Sequence, residues 1–194
     1  MNDAALRAQL DETIQVARYL QAEIGAVQAV ADMLIDLLRA GHRILLCGNG
    51  GSALDAQHFA SELVGHFRAD RGPLAALALT SDTAVVTSIA NDYAWDDVFA
   101  RQVEGLGAAG DALVGISTSG NSTNVLAALA AARRIGMVTI GFSGGDGGGM
   151  RSLCDHEFVL PFTDTARIQE GHLMVIHLLA ECIDAAFASA ETGQ

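Results

Sequence analysis

Residues 43–52, Arg43-Ile44-Leu45-Leu46-Cys47-Gly48-Asn49-Gly50-Gly51-Ser52, form a short apolar run that breaks into a glycine-rich turn. Helical spacing follows at once over residues 53–67. A strand, a glycine turn and a helix in that order make one βα unit of a parallel sheet. The same grammar recurs downstream. Apolar runs stand at residues 75–79, 112–116, 137–142 and 157–160, most ending in a Gly- or Ser/Thr-rich turn, and a second clear helix is read at residues 123–135. Near-continuous apolar strands alternating with helices predict an α/β fold: a three-layer αβα sandwich around a five-stranded parallel sheet of the flavodoxin-like type. In such folds ligands bind outside the carboxyl ends of the strands, so the turns that follow the strands carry the functional information.

Upstream of this unit, Leu6, Leu10, Ile14, Ala17, Leu20, Ile24, Val27, Ala31, Leu34 and Leu38 recur at helical spacing without a proline. They predict a long helix or helix pair within residues 1–40, ahead of an α/β core at residues 41–194. The stripe can pack on its own domain; its persistence over several turns favours a bundle with the same helix of other subunits. No repeat, long linker or second domain is visible, so the chain reads as one domain over 1–194. Residues 144–149, dense in glycine, read as a flexible connection rather than a binding site.

The 194 residues are 51% apolar and 18% charged, which excludes a disordered chain. Asp and Glu (23) outnumber Lys and Arg (11) for a net charge of −12, which leaves no electrostatic footprint for nucleic acid or an anionic membrane surface. Every basic residue is Arg; without Lys there is no Schiff-base chemistry and no lysine-dependent P-loop. Cys47, Cys154 and Cys182 lack metal-ligand spacing and read as reduced residues of a cytoplasmic protein. The first residues lack the pattern of a signal peptide. The apolar stretch 172–189 contains His177, Glu181 and Asp184 and is expected to be a core helix, with no membrane span.

Two turns suit an anion. Gly48-Asn49-Gly50-Gly51-Ser52 lets the backbone approach a ligand at a helix N-terminus. It is not GxGxxG, and Asp82 comes too late to hold a ribose, so a dinucleotide is not expected. Ser117-Thr118-Ser119-Gly120-Asn121-Ser122 offers four hydroxyls and a second helix start, more than N-capping needs, and is read as a phosphate loop. His58 and Glu62, four residues apart on one helix face, can share a divalent metal or simply hydrogen-bond to each other. Gln169 and His177 lie on the last helix, about 12 Å of rise apart, so one metal meets both only from midway. Either Gln169 folds back from the helix start, or the two serve sites shared between subunits. Asn91-Asp92 reads equally as a sugar-hydroxyl contact or a helix cap.

Taken together, Gly48-Asn49-Gly50-Gly51-Ser52, Ala56-Gln57-His58-Phe59-Ala60-Ser61-Glu62-Leu63, Ala90-Asn91-Asp92-Tyr93, Ile116 to Ser122 and Arg167-Ile168-Gln169-Glu170-Gly171-His172 resemble the sugar-isomerase (SIS) domain of the phosphoheptose isomerases. The resemblance spans nearly the whole chain, and its specificity lies in five blocks in order. It implies a cytoplasmic homotetramer with a central bundle of leading helices. It also implies conversion of sedoheptulose 7-phosphate to D-glycero-D-manno-heptose 7-phosphate through an enediol, towards activated heptose for surface polysaccharide such as lipopolysaccharide. By resemblance, zinc is bound by His58, Glu62, Gln169 and His177. The sugar phosphate is bound by Asn49, Gly50, Gly51, Ser52, Glu62, Asn91, Asp92, Ser117, Thr118, Ser119, Ser122 and Gln169. Glu62 is expected as base and His177 as acid. A carboxylate held by zinc is a weaker base, so if both residues stay ligands throughout turnover another group must carry the proton. Some relatives have an acidic residue three positions before the motif Gln; here that place is Ala166, with Asp164 two positions earlier as a substitute. The rival reading is a non-catalytic SIS protein that binds the bacterial replication initiator, a subfamily that lacks the acid matching Glu62.

Overall fold

A computed structural model describes residues 2–191 of the chain. The chain folds as α1 (Asp3–Ala22), α2 (Ile24–Arg39), β1 (Ile44–Gly48), α3 (Gly51–Val64), β2 (Ala76–Ala78), α4 (Thr83–Asp92), α5 (Ala100–Leu106), β3 (Ala112–Ser117), α6 (Thr123–Ile135), β4 (Val138–Gly144), β5 (His156–Leu160) and α7 (Thr165–Glu191), with 3₁₀ turns at Trp95–Asp97 and Gly148–Ser152. The five strands are parallel in the order β2-β1-β3-β4-β5. This is the expected flavodoxin-like winding, and its topological switch falls between β1 and β3.

Strand alternation divides the interior into two cores. Ile44, Leu46, Val114, Ile116, Ile140 and Phe142 face α1, α2, α3 and α7. Leu45, Cys47 and Leu113 face α5 and α6 together with Met150. Residues on both sides are fully buried, which is why the strands read as continuous apolar runs rather than alternating ones. The leading stripe is the helix pair, and part of it packs on its own domain: Val16, Leu20, Val27, Ala31 and Leu34 are buried in the first core. The same helices leave Leu6, Leu10 and Ile14 about half exposed or more, at 50%, 66% and 49%.

Helix α3 stops at Val64, short of the expected Phe67, because Gly65 follows and the Arg71 guanidinium takes the carbonyls of Glu62 and Leu63. Helix α7 is long and apolar enough over Thr165–Ala188 to cross a membrane by length and composition. Its Ile168, His172, Val175, Ile176, Leu179, Ile183 and Asp184 are nevertheless buried in the protein, as expected of a core helix. The glycines of residues 144–149 belong to a packed loop. A side chain at Gly120, whose φ is 65°, would collide with the Gly147 carbonyl, and the Gly149 amide donates to Asn121 Oδ1 at 3.0 Å. Two backbones lie this close because neither carries a side chain there.

Candidate active site

The turn after β1 and the turn after β3 flank the switch point, and a reciprocal amide pair joins them. Asn49 Nδ2 donates to Asn124 Oδ1 at 2.8 Å, and Asn124 Nδ2 donates to Asn49 Oδ1 at 2.9 Å. Gly50, with a positive φ of 55°, is the residue before α3, so the turn leads directly into a helix N-terminus. Ser52 is buried there and its amide is already satisfied by the Asn49 carbonyl at 3.0 Å. In the second turn Ser117 Oγ lies 2.9 Å from Ser122 Oγ and 3.4 Å from Ser119 Oγ. Ser122 precedes α6 without capping it through its side chain, so the hydroxyl cluster is not an ordinary N-cap. A cleft of about 240 Å³ beside the cluster is lined by Thr118, Ser119, Gly145 and Thr163.

The second half of the site forms where α3 packs on α7. His58 Nε2 lies 2.9 Å from Glu62 Oε1 and 3.3 Å from His177 Nε2. One donor atom from each of the three residues falls within 4.8 Å of the others. Two imidazole nitrogens and a carboxylate oxygen facing one another want a cation between them. Two ligands of one tetrahedral cation lie about 3.3 Å apart, as His58 and His177 do, whereas the 2.9 Å His58–Glu62 contact is a hydrogen bond, so the three residues could hold a divalent cation. The open hydrogen-bonded alternative for His58 and Glu62 is therefore realised together with a third donor that spacing alone did not supply. The His177 ring stacks on Phe67, with centroids 5.5 Å apart and planes at 25°. A groove of about 650 Å³ lined by Ile14, Phe67, Met174, His177 and Glu181 gives access to it.

Gln169 sits at the other end of the same seam. Its side-chain amide lies where a Cβ on Gly51 would go, so the glycine is required by its neighbour and not only by its own turn. Gln169 thus meets the glycine turn while His177, two turns along α7, meets His58. Asn91 and Asp92 end α4, both exposed, with Asn91 Nδ2 donating to Asp92 Oδ1 at 2.8 Å. The cap of α4 is Asp82, at its other end. Just downstream, Asp96 Oδ1 accepts from the Thr123 hydroxyl at 2.5 Å, which ties this segment to the start of α6 beside Ser122.

Several roles differ from a reading by motif. Asp164 is the N-cap of α7, accepting from the amides of Ala166 at 2.8 Å and Arg167 at 3.2 Å, and so is engaged in structure rather than standing in for an acid at 166. Arg167 and Glu170 bind each other at 2.6 Å and fasten α7 to α1, through Gln9 O at 2.7 Å and the Thr13 hydroxyl at 2.7 Å. His172 is buried, 3.1 Å from the Ser143 carbonyl; burial pushes its pKa down to about 4, with that carbonyl opposing the shift. Asp55, one turn before His58, was not singled out. Its Oδ2 is buried with no hydrogen-bond partner, and burial raises its pKa to about 6 against the pull of His58. Its i, i+3 spacing to His58 is the one signal that pointed to it.

The SIS domain profile matches residues 10–144. The chain is 48% identical over 177 residues to a phosphoheptose isomerase of Trichlorobacter lovleyi, covering 91% of this chain and 90% of that protein. The solved phosphoheptose isomerase of Neisseria gonorrhoeae superposes with a TM-score of 0.88 at 43% identity, covering 94% of this chain and 98% of that one. The solved phosphoheptose isomerase of Francisella tularensis superposes at 0.91 and 36% identity, covering 95% and 100%.

Proposed function

On the premise that the chain belongs to the SIS domain family, among the phosphoheptose isomerases, we propose that it interconverts sedoheptulose 7-phosphate and D-glycero-D-manno-heptose 7-phosphate. The observation that carries this reading is the meeting of His58, Glu62 and His177 at one end of a seam whose other end is the glycine turn, which the Asn49–Asn124 pair joins to a hydroxyl-lined, lysine-free turn.

The phosphate is held by the amides of residues 49–51, the N-terminus of α6 and the hydroxyls of Ser117, Thr118, Ser119 and Ser122. Asn91, Asp92 and Gln169 hold sugar hydroxyls. At the head, Glu62 takes a proton from C1 of the ketose through Oε2, the carboxylate oxygen that does not face His58, and a proton returns at C2. His177 moves the hydroxyl proton between O2 and O1, so no atom is gained or lost. Zinc is the ion proposed for His58, Glu62 and His177, and bound there it would supply charge stabilisation to the oxygens of the enediol, while Gln169, which the sequence resemblance places in the same ligand set, lies at the glycine turn. Phe67 covers one face of the His177 ring, which keeps the imidazole in orientation and limits water there.

The exposed stripe of Leu6, Leu10 and Ile14 on α1 supports assembly into a homotetramer, and the setting is the cytoplasm. Nothing in the geometry favours the non-catalytic, initiator-binding alternative, which has no use for Glu62 in the triad. The deciding experiment is conversion of sedoheptulose 7-phosphate by purified protein before and after chelation. Turnover that falls with the chelator and returns with zinc is expected. Absence of turnover in metal-replete protein would overturn the assignment.

A further inference from the structure

Arg71 and Asp184 form an ion pair, Nε to Oδ1 2.7 Å, with side chains only 1% and 3% exposed. Burying two charges is costly unless every remaining donor and acceptor is used, and here the partners are specific. Arg71 Nη2 donates to the carbonyl of Glu62 at 2.8 Å, and Nη1 donates to those of Leu63 and Gly72, both at 2.9 Å. Asp184 Oδ2 accepts from the amides of Arg68 at 2.8 Å and Ala69 at 2.6 Å. The guanidinium therefore grips Glu62 by its own backbone, at the last turn of α3. Its partner Asp184 stands two turns beyond His177 on α7. The segment anchored between them carries Phe67, stacked on His177, and Arg68, whose Nη1 reaches Glu181 at 3.1 Å.

We propose that the Arg71–Asp184 pair is a positioning clamp for the active site. It fixes the register of α3 against α7 so that Glu62 meets His177, and it holds Phe67 on the imidazole. Stability alone is served as well by an apolar pair of similar volume. What an apolar pair lacks is the ability to seize the Glu62 carbonyl and two loop amides at once. The inference rests on the isomerase reading of the triad, which it deepens.

The test compares wild type with Arg71→Lys, Asp184→Asn and the double variant Arg71→Met/Asp184→Leu. Three quantities are read: cobalt(II) affinity by chelator competition together with the visible spectrum of the bound ion, kcat and KM separately, and the imidazole C–H proton resonances of His177, which the stacked Phe67 ring displaces. Loss of the clamp is expected to weaken metal binding about 10–100-fold, as removal of other outer partners of metal ligands does. kcat should fall with it, KM should stay within about twofold, and the His177 resonances should return towards free imidazole. The double variant keeps a packed interior, so its loss of metal with a melting temperature near that of wild type separates positioning from folding. A folded variant of any of the three that keeps wild-type cobalt affinity, spectrum and His177 resonances overturns the clamp. Wild type that neither binds cobalt nor turns over sugar phosphate overturns the isomerase reading instead, and the His177 resonances then still decide whether the clamp holds the ring.

Discussion

At Glu62 a single oxygen atom separates two roles. Oε1 lies 2.9 Å from His58 Nε2 and belongs to the metal-ready triad, which leaves Oε2 as the proposed base. Glu62→Gln keeps the shape and removes the charge, so kcat should drop at least about 10²-fold while size-exclusion behaviour and circular dichroism stay those of wild type. At the other end of the ligand, Ser119→Ala with Ser122→Ala removes two hydroxyls around Ser117. The expected result is a raised KM for the sugar phosphate with little change in metal affinity; equal loss of both would make the cluster a structural device. His172 offers a test by pH. Its folded pKa is about 4 because it is buried, against an ordinary 6.5. The unfolded chain therefore takes up a proton as pH falls below 6.5 while the folded one does not, and stability declines until about pH 4. Asp55, raised to about 6, works in the opposite direction over part of the same window, because there the folded state takes up the proton. A His172→Leu variant isolates the imidazole: between pH 7 and 5 it should lose about 2 kcal/mol less than wild type in urea denaturation.

Among the elements, α6 coincides with its reading from sequence and the five strands lie within two residues of theirs, because most are bounded by glycine or hydroxyl residues, and β5 by Pro161, that stop the pattern. Helix α4 was not legible as a helix. Thr83-Ala84-Val85-Val86-Thr87 is β-branched and apolar, and no residue of α4 is fully buried, so it has no clean stripe to read. The pairing of His58 with Glu62 was visible at four residues' spacing, whereas its junction with His177 spans 119 residues and depends on how α3 meets α7. The Arg71–Asp184 pair, 113 residues apart, left no local trace at all. Cap chemistry is testable here. Asp164→Ala removes the acceptor for two amides at the start of α7 and should cost about 1 kcal/mol in thermal or urea unfolding. Because Gln169 lies in the next turn, the same change should also raise KM.

On the scale of the whole molecule, the exposed Leu6, Leu10 and Ile14 stripe predicts that Leu10→Glu lowers the assembled mass in light scattering without unfolding the monomer, since Val16 and Leu20 on the inner face of α1 remain buried. The sheet that separates the two cores has a further consequence. Glu62 and His177 are carried by helices packed on one face, whereas Asn124 belongs to a helix, preceded by Ser122, packed on the other. Neither half of the molecule can assemble a working centre by itself. In a refolding time course, recovery of turnover should therefore coincide with the slower face to consolidate, and catalysis becomes a reporter of complete renaturation. Fragments cut within the sheet should stay inert until recombined.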